Sequence, residues 1–334
     1  GSEMCIRDST SLVDDDEQIR TAEMALKKAI LDITKIEKIE LDLAKLEKIE
    51  LDLDSIEKIV QSLKDDIKKI TVGEKPVELK PTFEDMVFVK GGKYQPSFAD
   101  EEKEVSNLEV SKYLITQKLW QELIRNNPAN FKGDENRPIE YISWWHALEF
   151  CNRLSEKYGL RPVYNLGKSD QGLLMINQLD GTVVSPDVAD FNKTEGFRLP
   201  TEVEWEWFAR GGQVALDNGT FDYTYSGSNN IDDVAWYTGN SKDTTQSVGL
   251  KMPNVLGLYD CNGNVWEWCY DTTESIESGK SYVYKAYDHS NVYRRLKGGS
   301  WCNNTEVCAV AVRGNSQATY AYSNAGFRIV RTVL

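Results

Sequence analysis

Between Asp14 and Ile70 the chain contains neither proline nor glycine, and its apolar residues recur at steps of three and four. Leu26, Ile30, Ile33, Ile36, Ile39, Leu43, Leu46, Ile49, Leu53, Ile56, Val60, Leu63, Ile67 and Ile70 carry this stripe. Such spacing draws one apolar seam along a helix and leaves charge on the other side. Three related blocks, IEKIELDLAK, LEKIELDLDS and IEKIVQSLKD, follow one another. A period of ten residues makes roughly three helical turns, so each block keeps nearly the same face. Leu41 and Leu51 lie beside the stripe and widen it, which favours a bundle or a higher oligomer over a thin two-stranded seam. Residues 14–72 therefore predict a helical coiled-coil or bundle segment that self-associates or docks.

The pattern stops at Thr71-Val72-Gly73, and residues 73–82, with Pro76 and Pro81, read as a linker. Residues 1–13 read as a disordered N-terminus that includes a vector-derived Gly1-Ser2, so a natural leader stays open. From Met86 onward the pattern changes to short strands and long loops rich in Gly, Asn, Tyr and Trp. MVFVKGG predicts a strand entering a turn, and TQKLWQELIRNN and WWHALEFCNRLSEKYG predict amphipathic helices, the second ending at Gly159. EVEWEWFARGG predicts a shorter helix with Thr201 as N-cap, acidic residues in its first turns and Gly211-Gly212 as its stop. Residues 83–334 thus form an irregular α+β domain.

Several function classes fall away on composition. A net charge of −14 opposes nucleic-acid binding, which relies on Lys and Arg neutralising phosphates. The longest apolar runs are too short to cross a bilayer. Six cysteines in 334 residues do not make a disulfide framework, and two histidines, His146 and His289, without a CxxC argue against a zinc site. Cys5 lies in the polar N-terminus, Cys151 falls on a helix as a small buried hydrophobe, and Cys261 and Cys269 flank a Trp-rich stretch. Cys302 and Cys308 alone stand in a context that raises chemistry.

Six phrases in order, ITQKLW (115–120), NRPIEYISWWHALEFCNRL (136–154), FRLPTEVEWEWFARGG (197–212), PNVLGLYDCNGNVWEW (253–268), LKGGSW (296–301) and GFRIV (326–330), resemble the formylglycine-generating-enzyme family. The resemblance covers residues 83–334 and implies a C-type-lectin-like fold of the sulfatase-modifying-factor type. It also implies calcium in the loop DCNGNVWE. Asp260, the carbonyls of Gly263 and Val265, and Glu267 are the residues carried over, an oxygen set of the kind calcium takes. A second calcium loop of the family would fall within 229–249, where Asn229, Asn230, Asp232 and Asp233 offer oxygens.

Active members of that family oxidise a substrate cysteine with two copper-binding cysteines four residues apart after the GGS phrase. Here five residues separate Cys302 from Cys308, none of them aromatic or basic. If the stretch is a strand, one extra residue sends the second thiol to the opposite face. No catalytic residue and no copper are expected, and the pair reads as one buried thiol, Cys308, and one exposed thiol, Cys302.

The same stretch, GGSWCNNTEVCAVAVRGNSQATYAYSNAGFRIV, resembles the variable region of proteins diversified by retroelements, which use this fold. Cys308, Arg313 and Gly326-Phe327-Arg328 would be the fixed frame. The resemblance implies a recognition segment at 302–324, with Cys302, Asn303, Asn304, Val307, Val312, Gly314, Asn315, Ser316, Tyr320, Tyr322, Ser323 and Asn324 as its binding residues. Tyrosine supplies rigid contact area, while Ser and Asn supply adaptable hydrogen bonds. The expected function is non-catalytic ligand display at a cell surface or outside the cell. The partner would be a protein, with a glycan as the second class, and calcium would be structural. The alternatives are a copper-dependent oxidase acting on protein cysteine and an invariant structural or adhesive module.

Overall fold

The computed structural model describes residues 83–166, 174–186, 189–273 and 293–333. The expected helical segment 14–72, the linker, Cys5 and His289 lie outside the described residues. The chain divides into Gly1–Val77 and Glu78–Leu334, and all described residues belong to the second unit.

Strands β1 (Met86–Val89), β2 (Gly92–Tyr94), β3 (Lys103–Val105) and β4 (Leu108–Ser111) precede helices α1 (Gln117–Ile124) and α2 (Trp144–Lys157). Short strands β5 (Tyr164–Asn165), β6 (Met175–Asn177) and β7 (Val183–Val184) lead to α3 (Glu202–Ala209), α4 (Gly212–Asn218) and α5 (Ile231–Val234). The remaining strands are β8 (Ala235–Trp236), β9 (Asn262–Gly263), β10 (Trp266–Thr272), β11 (Tyr293–Lys297), β12 (Arg313–Gln317), β13 (Ala325–Gly326) and β14 (Val330–Thr332).

Side-chain caps start the three longer helices where the sequence asks for them. Thr116 accepts from the amide of Leu119, and Ser143 and Thr201 form capping boxes with His146 and Glu204. Gly159 closes the turn after α2 with φ +67. Gly211-Gly212 does stop α3, as expected, but Gly211, at φ +95, bends the chain and α4 begins at once. Gly91, at the end of MVFVKGG, is also a position of close packing. A Cβ on Gly91 would lie 2.3 Å from the carbonyl oxygen of Val105.

Two sheets position the site. One has the order β1-β4-β14, all antiparallel; the other has the order β12-β11-β10-β13, with β13 parallel to β10. Between and around them lies a core built on aromatic residues, in which Trp144, Trp205, Trp207 and Trp268 are all fully buried. Each of their indole N–H groups finds an acceptor, on Cys269 O, Glu267 Oε2, Lys90 O and Ile142 O respectively. Large rings with satisfied N–H groups let a domain with little regular structure keep a dense interior.

Candidate functional site

Segment 302–324 is held chiefly through its main chain. Strand β12 pairs with β11 from Arg313 opposite Lys297 to Gln317 opposite Tyr293. Outside that ladder, the carbonyls of Asn303, Ala318, Tyr322 and Asn324 accept from the amides of Thr238, Trp144, Tyr141 and Trp266 at 2.8–3.1 Å. The amide of Val310 donates to Thr224 O, and the side chain of Asn262 donates to Cys308 O. Backbone groups make the same bonds whatever side chain they carry, proline aside, so these anchors do not depend on which residues stand outward.

Of the binding residues expected from sequence, Cys302, Asn304, Asn315, Tyr320 and Tyr322 are exposed, and Asn303, Val307, Val312, Ser323 and Asn324 are half-buried. The rings of Tyr320 and Tyr322 meet edge-on, with centroids 5.9 Å apart. Two expectations are corrected. Ser316 is buried because alternation along β12 turns it inward. Gly314 is a packing position, since a Cβ there would lie 3.1 Å from the Trp266 ring. Tyr141 is the residue that sequence reasoning missed. It is 51 % exposed, bonds through its amide to Tyr322, and holds a left-handed φ of +62, which is costly for a bulky side chain.

Beneath β12 lies a charge network that the sequence did not reveal. Arg313 donates to both oxygens of Glu202 at 2.7 Å, and Lys297, fully buried, lies 3.4 Å from Glu206 Oε2 and 3.8 Å from Glu202 Oε1. Arg210 reaches Glu206 Oε1 at 3.0 Å. Burial alone would raise the Glu206 carboxyl, but Lys297 and Arg210 outweigh it and hold the group below its usual range. Glu202 and Glu206 therefore do more than favour the helix N-terminus: they fasten α3 to β11 and β12. The remaining acid of that helix, Glu204, forms a two-pronged pair with buried Arg198.

The sulfatase-modifying factor enzyme 1-like domain matches residues 72–333. The chain belongs to that family. It is 34% identical to the chaperone protein LppX of Paenibacillus barcinonensis over 269 residues, 75% of this chain and 90% of that one. Among solved structures, Treponema denticola variable protein 1 superposes with a TM-score of 0.57 and 32% identity, covering 78% of this chain and 100% of its own. The formylglycine-generating enzyme of Thermomonospora curvata is 30% identical over 164 residues, 42% of this chain and 52% of the enzyme. The chain thus spans about half of that enzyme. The fold is the C-type-lectin-like fold of the sulfatase-modifying-factor family.

Within this family fold the two C-terminal thiols have unlike surroundings. Cys308 is fully buried, faces Ser300 O at 3.9 Å, and burial pushes its thiol up to about 12. Cys302 is exposed, with its sulfur 3.4 Å from both Ser300 Oγ and Asn324 Nδ2. The backbone between them runs in turns, so the strand-parity argument does not apply; local folding buries one thiol and exposes the other.

The expected calcium loop is present as a loop, but its acids are engaged. Asp260 Oδ2 accepts from the Gly249 amide at 2.7 Å, and Oδ1 lies 3.4 Å from Asn264 Nδ2. Both oxygens of Glu267 accept from Arg328, at 2.7 and 3.0 Å, and Oε2 also accepts from Trp205 at 2.9 Å. A carboxylate has about four lone-pair directions, and three are used, two of them by a cation. The side chains of this loop do not fit the expected set, because Glu267 already has its counter-charge. In the stretch expected to hold a second calcium, Asn229 Oδ1 accepts from Thr224 N, and Asn230 caps α5 and donates to Asp233. Asp232 accepts from Tyr237 and Asn240.

Proposed function

We propose that this protein is a non-catalytic ligand-display module whose face is formed by exposed residues of segment 302–324 together with Tyr141. The observation that carries this reading is the anchoring of the segment: its backbone is fixed by hydrogen bonds to neighbouring main chains and to the Asn262 side chain, while Asn304, Asn315, Tyr320 and Tyr322 stand outward. Loops on a rigid body are where recognition residues are usually placed. The likeness to a variable protein of Treponema denticola supports the further reading that these outward positions are diversified. A protein is the favoured ligand, since a face of tyrosine and asparagine suits protein contact. Residues 14–72, by oligomerising, would multiply weak contacts, and a cell-surface or extracellular setting suits such a role.

Sequencing the 3′ end of the gene across a population of the source organism tests this reading. Substitutions gathered at the outward positions of 302–324, with Gly314, Arg313 and Arg328 unchanged, are the expected result. A uniform segment would sink diversification.

The second reading is a copper-dependent oxidase, favoured by the likeness to formylglycine-generating enzymes. Two thiolates would hold the copper, and Cys308 would have to lose its proton from a buried position. Copper titration with a thiol-peptide turnover assay separates the readings, and turnover that disappears in Cys308→Ser would favour the oxidase.

A further inference from the structure

The loop Asp260–Glu267 contacts the display segment directly. The amide of Trp301 donates to Asn264 O, the side chain of Asn262 reaches Cys308 O, and the adjoining Trp266 amide donates to Asn324 O. Whatever holds this loop therefore also holds the face. Its backbone is unusual, with left-handed φ values at Asp260 (+55), Gly263 (+69) and Asn264 (+57). The family resemblance places a calcium ion between the two acids of this loop, Asp260 and Glu267.

A guanidinium is already there. Arg328 is fully buried and pairs with both oxygens of buried Glu267. Its remaining donors reach Tyr259 O at 2.7 Å and Ser111 O at 3.1 Å. These acceptors come from β4, from the residue before the loop and from β10, so one side chain ties three parts of the domain together. Arginine suits this task because it keeps its charge when buried and offers several donors in one plane. A calcium ion bound to Glu267 would sit beside that guanidinium and be repelled by it.

We propose that Arg328 is a built-in cation that takes the place of an exchangeable metal, so that loop 260–267 and the face it supports hold their shape without calcium. A neutral side chain at 328 would leave Asp260 and Glu267 uncompensated and would create a calcium site where the wild-type protein has none. This inference concerns the loop and stands whether or not the face binds a ligand.

The test uses the full chain and the metal alone. Wild-type protein is expected to show the same Tm in excess EDTA and in millimolar calcium. It is also expected to give no terbium(III) luminescence that excess calcium displaces, although Trp205, whose indole touches Glu267, is well placed to sensitise it. A Tm that rises with calcium, or calcium-displaceable terbium emission from the wild type, overturns the proposal. Arg328→Gln is expected to lower Tm by several degrees, with calcium recovering part of the loss; a folded variant blind to calcium overturns the assignment of Arg328 to the cation's place. Arg328→Lys keeps the charge and is expected to stay blind to calcium. If Arg328→Gln does not fold, the wild-type measurements decide alone.

Discussion

Residues 260–267, where β9 passes into β10, and 302–312, a run of turns, are neighbours, yet they treat their side chains in opposite ways. In the first stretch Asp260, Asn262, Asn264 and Glu267 are all buried and every one is hydrogen-bonded. In the second, Cys302, Asn304, Glu306 and Ala311 face solvent, and the bonds to neighbouring segments run largely through the main chain. Irregular backbone is thus no measure of tolerance to change. What decides tolerance is whether the fold is held by the side chains or by the peptide groups behind them.

The largest way to break the contrast is to cut the support under β12. Glu202→Ala leaves Lys297 with one acid fewer and removes the partner of Arg313. Breaking a buried pair on one side costs about 3–5 kcal/mol, and equilibrium urea unfolding should read a loss of that order. A loss under about 1 kcal/mol, the range of exposed pairs, would show that the network adds little. Gly314→Val comes next. Its side chain would press on Trp266 and Leu296, and overpacking of this kind costs about 1–3 kcal/mol. A neutral result would return Gly314 to the tolerant class.

A pH series sharpens the comparison at the base of the face. Glu140 is fully buried, accepts from the Phe131 amide at 2.8 Å, and has one oxygen without a hydrogen-bond partner. Phe131 in turn packs edge-on against Trp301. Burial pushes the Glu140 carboxyl up to about 7, against weaker lowering by the Phe131 and Asn130 amides and by Lys132 and Arg137. Because the folded value lies above the unfolded one, the folded chain binds more protons in between. This group's contribution is full below the ordinary carboxylate range and is lost as pH rises through about 7. Thermal melts should fall less steeply between those limits in Glu140→Gln than in the wild type; parallel curves would remove Glu140 as the cause. The smallest stability effect is expected on the face itself. Tyr320→Ala should change unfolding free energy by under about 0.5 kcal/mol, and a larger loss would mean that Tyr320 belongs to the scaffold.

Local signals in the sequence read well because their physics is local. Thr116, Ser143 and Thr201 each cap a helix within a few residues of themselves, and Gly159 ends α2 by its own backbone freedom. Tyr320 and Tyr322, singled out through the resemblance of one segment, stand exposed. Partners distant in sequence were not legible. Glu202 and Arg313 lie 111 positions apart, and Glu267 and Arg328 lie 61 apart. Nothing in DCNGNVWE says that its last acid is paired with an arginine in GFRIV, so the family resemblance and the oxygen spacing together pointed to calcium. Tyr141 stayed hidden for the same reason: a left-handed tyrosine has no sequence signal, and the segment beside it was read alone. Inward-facing Ser316 required knowing that β12 is paired and which face is covered.

The order of the elements carries one more consequence. The face at 302–324 is translated before Arg328 and before β14, which pairs with β4 and bridges to Arg198. A copy of the gene that acquires a stop codon or a shifted frame within the face loses both the bolt and the closing strand. Such a product cannot complete the domain, so folding itself acts as proofreading: a chain that assembles has, by assembling, reported that its whole face was read through in frame.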